Sequence, residues 1–159
     1  DLVRSRGLGD VYKRQTQNHP DLAALVGIWA YNAPAIADVV TANGTRDKYV
    51  IATFDAQDLA IGHMEKGRID VMVVQNPFEM GVRTVRLLKA MVENDEGVLA
   101  EMFPNAAAPH GDIHTTGLRV VVPDAASPVK ADLFDPQIVE FMTLPDFKAW
   151  LAKYHLTSS

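Results

Sequence analysis

Short, dense apolar runs alternate along the first ninety-odd residues with longer segments whose apolar positions recur every three to four places. After the His19-Pro20 break, residues 21–29 read as a strand. Residues 33–43 read as a helix, with Ile36, Val39 and Val40 at helical spacing, Asn32 as an N-cap candidate and Pro34 in the first turn, where its missing N–H costs little. Gly44 stands where a helix C-cap is expected. Residues 49–54 form a nearly unbroken apolar run, which predicts a strand buried on both faces. Residues 56–66 predict a second helix closed by Gly67, and residues 69–74 a third strand. The strongest helical pattern covers residues 77–93. Phe78, Val82, Val85, Leu88 and Met91 fall on one face, Arg83, Arg86 and Lys89 are predicted outward, Asn76 is the expected cap, and Pro77 suits the first turn.

After Asn94 the texture changes. Residues 96–111 are Ala/Pro-rich without periodicity, 113–122 are β-branched and predict an extended segment, and 124–136 read as loop. Residues 143–154 predict a short helix capped by Thr143, with Pro145 near its start and Phe147, Trp150, Leu151 and Tyr154 as its packing face. Repeated βαβ units of about twenty residues imply right-handed crossovers and a parallel sheet. The predicted fold is α/β, a three-layer α-β-α arrangement around a mostly parallel sheet, followed by an irregular C-terminal extension. The predicted division is a foreign segment at 1–15, a partial α/β lobe at 16–95, and an extension at 96–159 with a crossover strand and a terminal helix.

Each of the three predicted strands is followed by a polar residue: Asn32, Asp55 and Gln75. In an open parallel sheet, ligands bind outside the carboxyl ends of the strands. A carboxylate accepts several hydroxyl hydrogen bonds, and an amide both donates and accepts, so this trio suits a neutral polyhydroxylated molecule. Trp29, Tyr31 and Phe54 stand beside it and offer aromatic faces to the C–H face of a sugar ring; core packing accounts for them equally well. Helix capping is the plainer account of Asn32 and Asp55. Gln75 resists it, because Gln is a poor cap and Asn76 is adjacent.

Residues 10–15, DVYKRQ, are what GAT GTG TAT AAG AGA CAG encodes, the end of a transposon-based sequencing adapter. Residues 1–15 are therefore read as foreign and disordered. The formal net charge is −5, and setting aside that segment, with four basic and two acidic residues, leaves the remainder more acidic still. An acidic domain without a basic stripe argues against a nucleic-acid partner. Cysteine is absent, which removes disulfides and thiolate chemistry. No apolar run reaches the ~20 residues of a membrane-spanning helix. No Gly-x-Ser-x-Gly elbow, phosphate loop or Gly-x-Gly-x-x-Gly appears. His110 and His114 flank Asp112, but Pro109 and Gly111 predict a loop and not a metal-binding helix. Asp58 falls in a helix first turn, where the dipole favours an acid. Neither an enzyme, a metal site nor a cofactor is expected.

Residues 20–93 resemble the carboxyl-terminal lobe of periplasmic sugar-binding proteins of the type I, ribose-binding kind, the soluble receptors of ABC sugar importers. WAYNAPAIADVV, VIATFD and VVQNPFEMGVRTV match three places where that family places an Asn, an Asp and a Gln against the sugar. The resemblance implies that Asn32, Asp55 and Gln75 bind a small neutral sugar and that the partner is a membrane permease. It implies a periplasmic or other extracytoplasmic location. It also implies a missing amino-terminal lobe, so that the chain holds half a cleft and binds sugar weakly or not at all. In the family a late segment crosses between lobes, and residues 113–122 are the candidate. An alternative is the effector domain of a LacI-like transcription regulator, which shares the architecture. A second alternative is a signalling receiver with Asp55 as phosphoacceptor, although the acidic pair and lysine of that fold are not evident.

Overall fold

The computed structural model describes residues 2–159 as two compact units, one formed by residues 2–75 and 118–159 and the other by residues 76–117. This division differs from the one read at residue 95. The chain leaves the first unit after Gln75 and re-enters it at Leu118, within the segment predicted to cross over.

The first unit is a mixed α/β structure whose five strands are hydrogen-bonded in the order β1 (Ala24–Gly27), β2 (Val50–Phe54), β3 (Val71–Val74), β4 (Leu118–Val122), β5 (Val139–Thr143). β1, β2 and β3 run parallel, β4 is antiparallel to β3, and β5 is parallel to β4. Three helices bury one face: α2 (Asn32–Ala42), α3 (Asp58–Glu65) and α6 (Leu144–Lys153). Their Ile36, Val40, Ile61, Met64, Phe147 and Leu151 pack on Leu25, Ile51, Met72, Val74 and Val121 of the strands. Alternate strand residues point the other way, as the pleat requires. Over β3, β4 and β5 that second face is covered by Val129 and Phe134 of the loop before β5. Over β1 and β2 it is open: Val26 is 54% and Val50 55% exposed. The double burial predicted for residues 49–54 therefore holds for Ile51 but not for Val50. Continuous apolarity cannot distinguish a strand buried on both faces from one with an uncovered side.

β5 was not legible, because VEFMT is short and follows a turn-rich stretch. Thr143 caps α6 as predicted, its Oγ1 accepting from the Asp146 N–H at 3.4 Å. Arg119 of β4 lays its guanidinium 4.0 Å from the ring centre of Trp150 on α6. α1 (Leu2–Asn18) occupies the segment expected to be disordered. Leu8, Gly9, Tyr12 and Thr16 are half-buried, a four-residue repeat that the overall polarity concealed. Tyr12 packs against the core, and Gly9 approaches Val39 of α2.

The second unit contains α4 (Pro77–Glu93) and α5 (Glu96–Met102). Asn76 caps α4 as predicted, accepting from the Glu79 N–H at 3.1 Å, with Pro77 at its start. Asp95 caps α5. Arg86 of α4 pairs with Glu101 of α5, and Ala90 is the one buried residue of α4. Phe78, Val82, Val85, Leu88 and Met91, predicted to pack inward, are exposed, Phe78 by 81%. The helix carries an amphipathic face that its own unit does not cover. His110 adopts a positive φ of 62°, a turn conformation in the predicted loop.

Candidate functional site

Parallel pairing of β1, β2 and β3 puts their carboxyl ends at one edge of the sheet. Asn32, Asp55 and Gln75 all follow those ends, so the topology gathers the three predicted residues at that edge. The register aligns Gly27 with Thr53, and Phe54 with Val73.

Asn32 is buried at 7% exposure. It is the first residue of α2, not its cap; the cap is Tyr31, which makes no side-chain capping bond. The Asn32 side chain folds back, its Oδ1 accepting from the Trp29 N–H at 2.8 Å and its Nδ2 donating to the Tyr12 hydroxyl at 2.9 Å. The main-chain donor fixes which end of the amide is oxygen, leaving one N–H and one lone pair for another partner. Burial pushes the Tyr12 phenol above its ordinary value, with the Asn32 hydrogen bond acting against the shift. Gly27 makes the approach possible. A Cβ there would lie 2.6 Å from the Asn32 Cβ, closer than atoms can pack.

Asp55 directly follows β2 and adopts a left-handed conformation, φ 64°. Such a residue costs roughly 1–2 kcal/mol for an ordinary side chain, and Asp is among the few that tolerate it. It does not cap α3, whose cap is Gln57. The Asp55 N–H donates to the Val73 carbonyl at 2.9 Å. The residue is half-buried, and among the described residues no side-chain hydrogen bond or ion pair involves its carboxylate. Gln75, one residue past β3, is exposed, and its amide likewise meets no partner among the described residues. Trp29 is 63% and Tyr31 56% exposed, which excludes core packing for both; Phe54 is half-buried.

The edge therefore presents one oriented amide, one unengaged carboxylate, one free amide and two exposed aromatic rings. Such groups have the chemistry to exchange hydrogen bonds with hydroxyls and to offer faces to a ring. The set contains no nucleophile with an adjacent base. Among the described residues, no group of three or more His, Cys, Asp or Glu side chains could hold a metal ion, and His114 Nδ1 instead lies 3.2 Å from the Met102 carbonyl oxygen. Sequence reasoning missed Gly27, whose signal was a glycine inside a strand pattern. It also missed Tyr12, which carries no local signal.

Comparison with known proteins agrees with this architecture. Among curated proteins none matches the chain. A glucose-galactose binding protein from Geobacillus stearothermophilus is similar in structure, with 31% identity over 55% of this chain and 31% of its own, at a TM-score of 0.52. An ABC transporter solute-binding protein from Burkholderia graminis, solved in complex with D-arabinose, shares 26% identity over 58% of this chain and 32% of its own, at a TM-score of 0.50. A sugar-binding protein of a Bacillus halodurans sugar ABC transporter has the same fold at 19% identity over 57% of this chain and 31% of its own, TM-score 0.50. The chain spans about a third of the length of these proteins. The profile of the periplasmic binding protein domain matches residues 10–96, more than half of the chain, and the chain belongs to that family.

Proposed function

We propose that this chain is part of a solute-binding protein that captures a neutral sugar outside the cytoplasm and delivers it to the permease of an ABC importer. One observation carries the reading: at the carboxyl edge of three adjacent parallel strands, half-buried Asp55 has a carboxylate without a donor among the described residues, between Asn32 and Gln75 in the chain. A half-buried carboxylate with no partner among the described residues is a hydrogen-bond acceptor in want of hydroxyls, and each bond to a charged group contributes roughly 1.5–3 kcal/mol. Exposed Trp29 and Tyr31 supply faces for a sugar ring. The similar protein from G. stearothermophilus is a glucose-galactose binding protein, and that from B. graminis was solved with D-arabinose bound.

The whole receptor would close a second lobe over this edge. The apolar face of α4, uncovered within its own unit, is the kind of surface that an absent part of the protein would bury. This chain alone would bind sugar weakly. Isothermal titration of the completed two-lobe protein with a panel of pentoses and hexoses tests the proposal. At least one sugar binds, and Asp55→Ala weakens it by about a hundredfold, equivalent to the loss of one or two charged hydrogen bonds. Undiminished binding by that variant, or no binding of any sugar, refutes it.

A further inference from the structure

Residues 155–159 are fastened beside the proposed anchor. α6 closes in a paired turn: the His155 N–H donates to the Ala152 carbonyl at 3.1 Å and the Leu156 N–H to the Leu151 carbonyl at 2.9 Å, with His155 at φ 56°. This is the Schellman arrangement, which reverses the chain after a helix. The reversed tail reaches Ala56, a fully buried residue of the core that also holds Phe147 and Leu151. The Ala56 N–H donates to the Ser159 main-chain oxygen at 2.8 Å, and the Ser159 N–H donates back to the Ala56 carbonyl at 3.1 Å. Such a reciprocal pair is the hydrogen-bonded pairing of antiparallel strands.

Asp55 is thus held from both sides. Its own N–H is bound to Val73 of β3, and the residue after it is bound to the tail. Between these two fixed points the backbone takes φ 64°. A free aspartate prefers negative φ, so the left-handed state needs restraint from outside the residue. We propose that residues 156–159 form a strap that sets the direction of the Asp55 carboxylate, with Ser159 as a positioning residue acting through its main chain. The consequence for binding rests on Asp55 being the sugar anchor; the strap itself does not.

The experiment uses the isotope-labelled intact chain, a variant lacking residues 157–159, and Ser159→Ala. In the intact chain the Asp55 carbon shifts report a positive φ, and the Ala56 amide is protected from hydrogen exchange. The deletion shifts Asp55 toward ordinary backbone values and speeds Ala56 exchange by about tenfold or more, while Met72 and Val121 in the sheet stay protected. Ser159→Ala leaves all of these unchanged, because only main-chain groups are used. If the deletion melts the sheet, Ser159→Pro, which removes a single donor, becomes the deciding variant. In the completed protein the deletion weakens sugar binding about tenfold or more, and Ser159→Ala does not. Identical Asp55 shifts with and without the tail, or an unprotected Ala56 in the intact chain, overturn the strap. If no variant binds any sugar, the binding reading fails while the Asp55 shifts still decide the strap.

Discussion

The two edges of the five-stranded sheet each carry an aspartate, and the two are used in opposite ways. At the amino edge, Asp70 precedes β3 and both of its carboxylate oxygens accept hydrogen bonds. One oxygen accepts from the Arg46 guanidinium at 2.5 Å, and the other from the Ile51 N–H at 2.7 Å. Arg46 is in turn bound to the Gly67 and Tyr49 carbonyls. At the carboxyl edge, Asp55 follows β2 with its backbone tied on both sides and its carboxylate untied. The Asp70 carboxylate is tied into the fold; that of Asp55 is not, and on the proposed reading it is left for a ligand. Residue type and strand proximity are the same in both places, and only the partners separate them.

That contrast breaks most visibly at Asp70. Asp70→Ala leaves the Ile51 N–H and the Arg46 guanidinium short of partners. It should destabilise the protein by about 2 kcal/mol in urea denaturation, with sugar affinity of the completed protein unchanged. Loss of affinity without loss of stability would reverse the assignment of the two edges. Gly27→Ala sits between the two cases, since its Cβ would collide with Asn32. It should cost about 1–3 kcal/mol of stability and weaken binding together, read by denaturation and titration on the same sample. Asp55→Asn keeps a residue tolerant of left-handed backbone but removes the charge. About a tenfold loss of affinity at unchanged stability is expected, and a stability loss as large as that of Asp70→Ala would mark Asp55 as structural.

The smallest effect is a pH dependence that belongs to neither edge. His63 of α3 is buried, with its Nε2 3.8 Å from Asp38 of α2 and its Nδ1 3.4 Å from Arg68. Burial lowers its pKa below the ordinary histidine value; Asp38 opposes the shift, and Arg68 and Lys66 add to it. The unfolded chain then binds the proton more readily than the folded one. The contribution of His63 to stability is complete above its unfolded value near 6.5 and declines as the pH falls from there through the depressed folded value. Thermal melts between pH 7.5 and 5 should show that decline, and His63→Gln should flatten it. An unaltered slope in the variant would assign the titration to another group.

Much of the fold was legible because burial imposes a period. Residues 77–93 coincide with α4, and Asn76 and Thr143 cap the helices they were expected to cap. The strands were found but drawn too long at β1, where Ile28 and Trp29 continue the apolar run past the last ladder pair. Asn32, Asp55 and Gln75 were legible as a set, because a βαβ repeat dictates where strand ends fall. Their individual states were not. Capping was the natural reading of Asn32 and Asp55, yet Asn32 turns back to Trp29 and Tyr12, and Asp55 takes a left-handed turn. The outward face of α4 was read in reverse, since hydrophobic periodicity finds the apolar stripe without naming what lies against it.

The sequence alone determined the alternation of strand and helix, the helix caps and the common edge of three polar residues, all of which follow from local periodicity and a fixed chain direction. Only the tertiary structure decided which of two aspartates is tied into the fold, how Gly27 admits Asn32, and that Ser159 pairs with Ala56. Those outcomes depend on contacts between positions far apart in the chain, and no local pattern records the partner a side chain will meet.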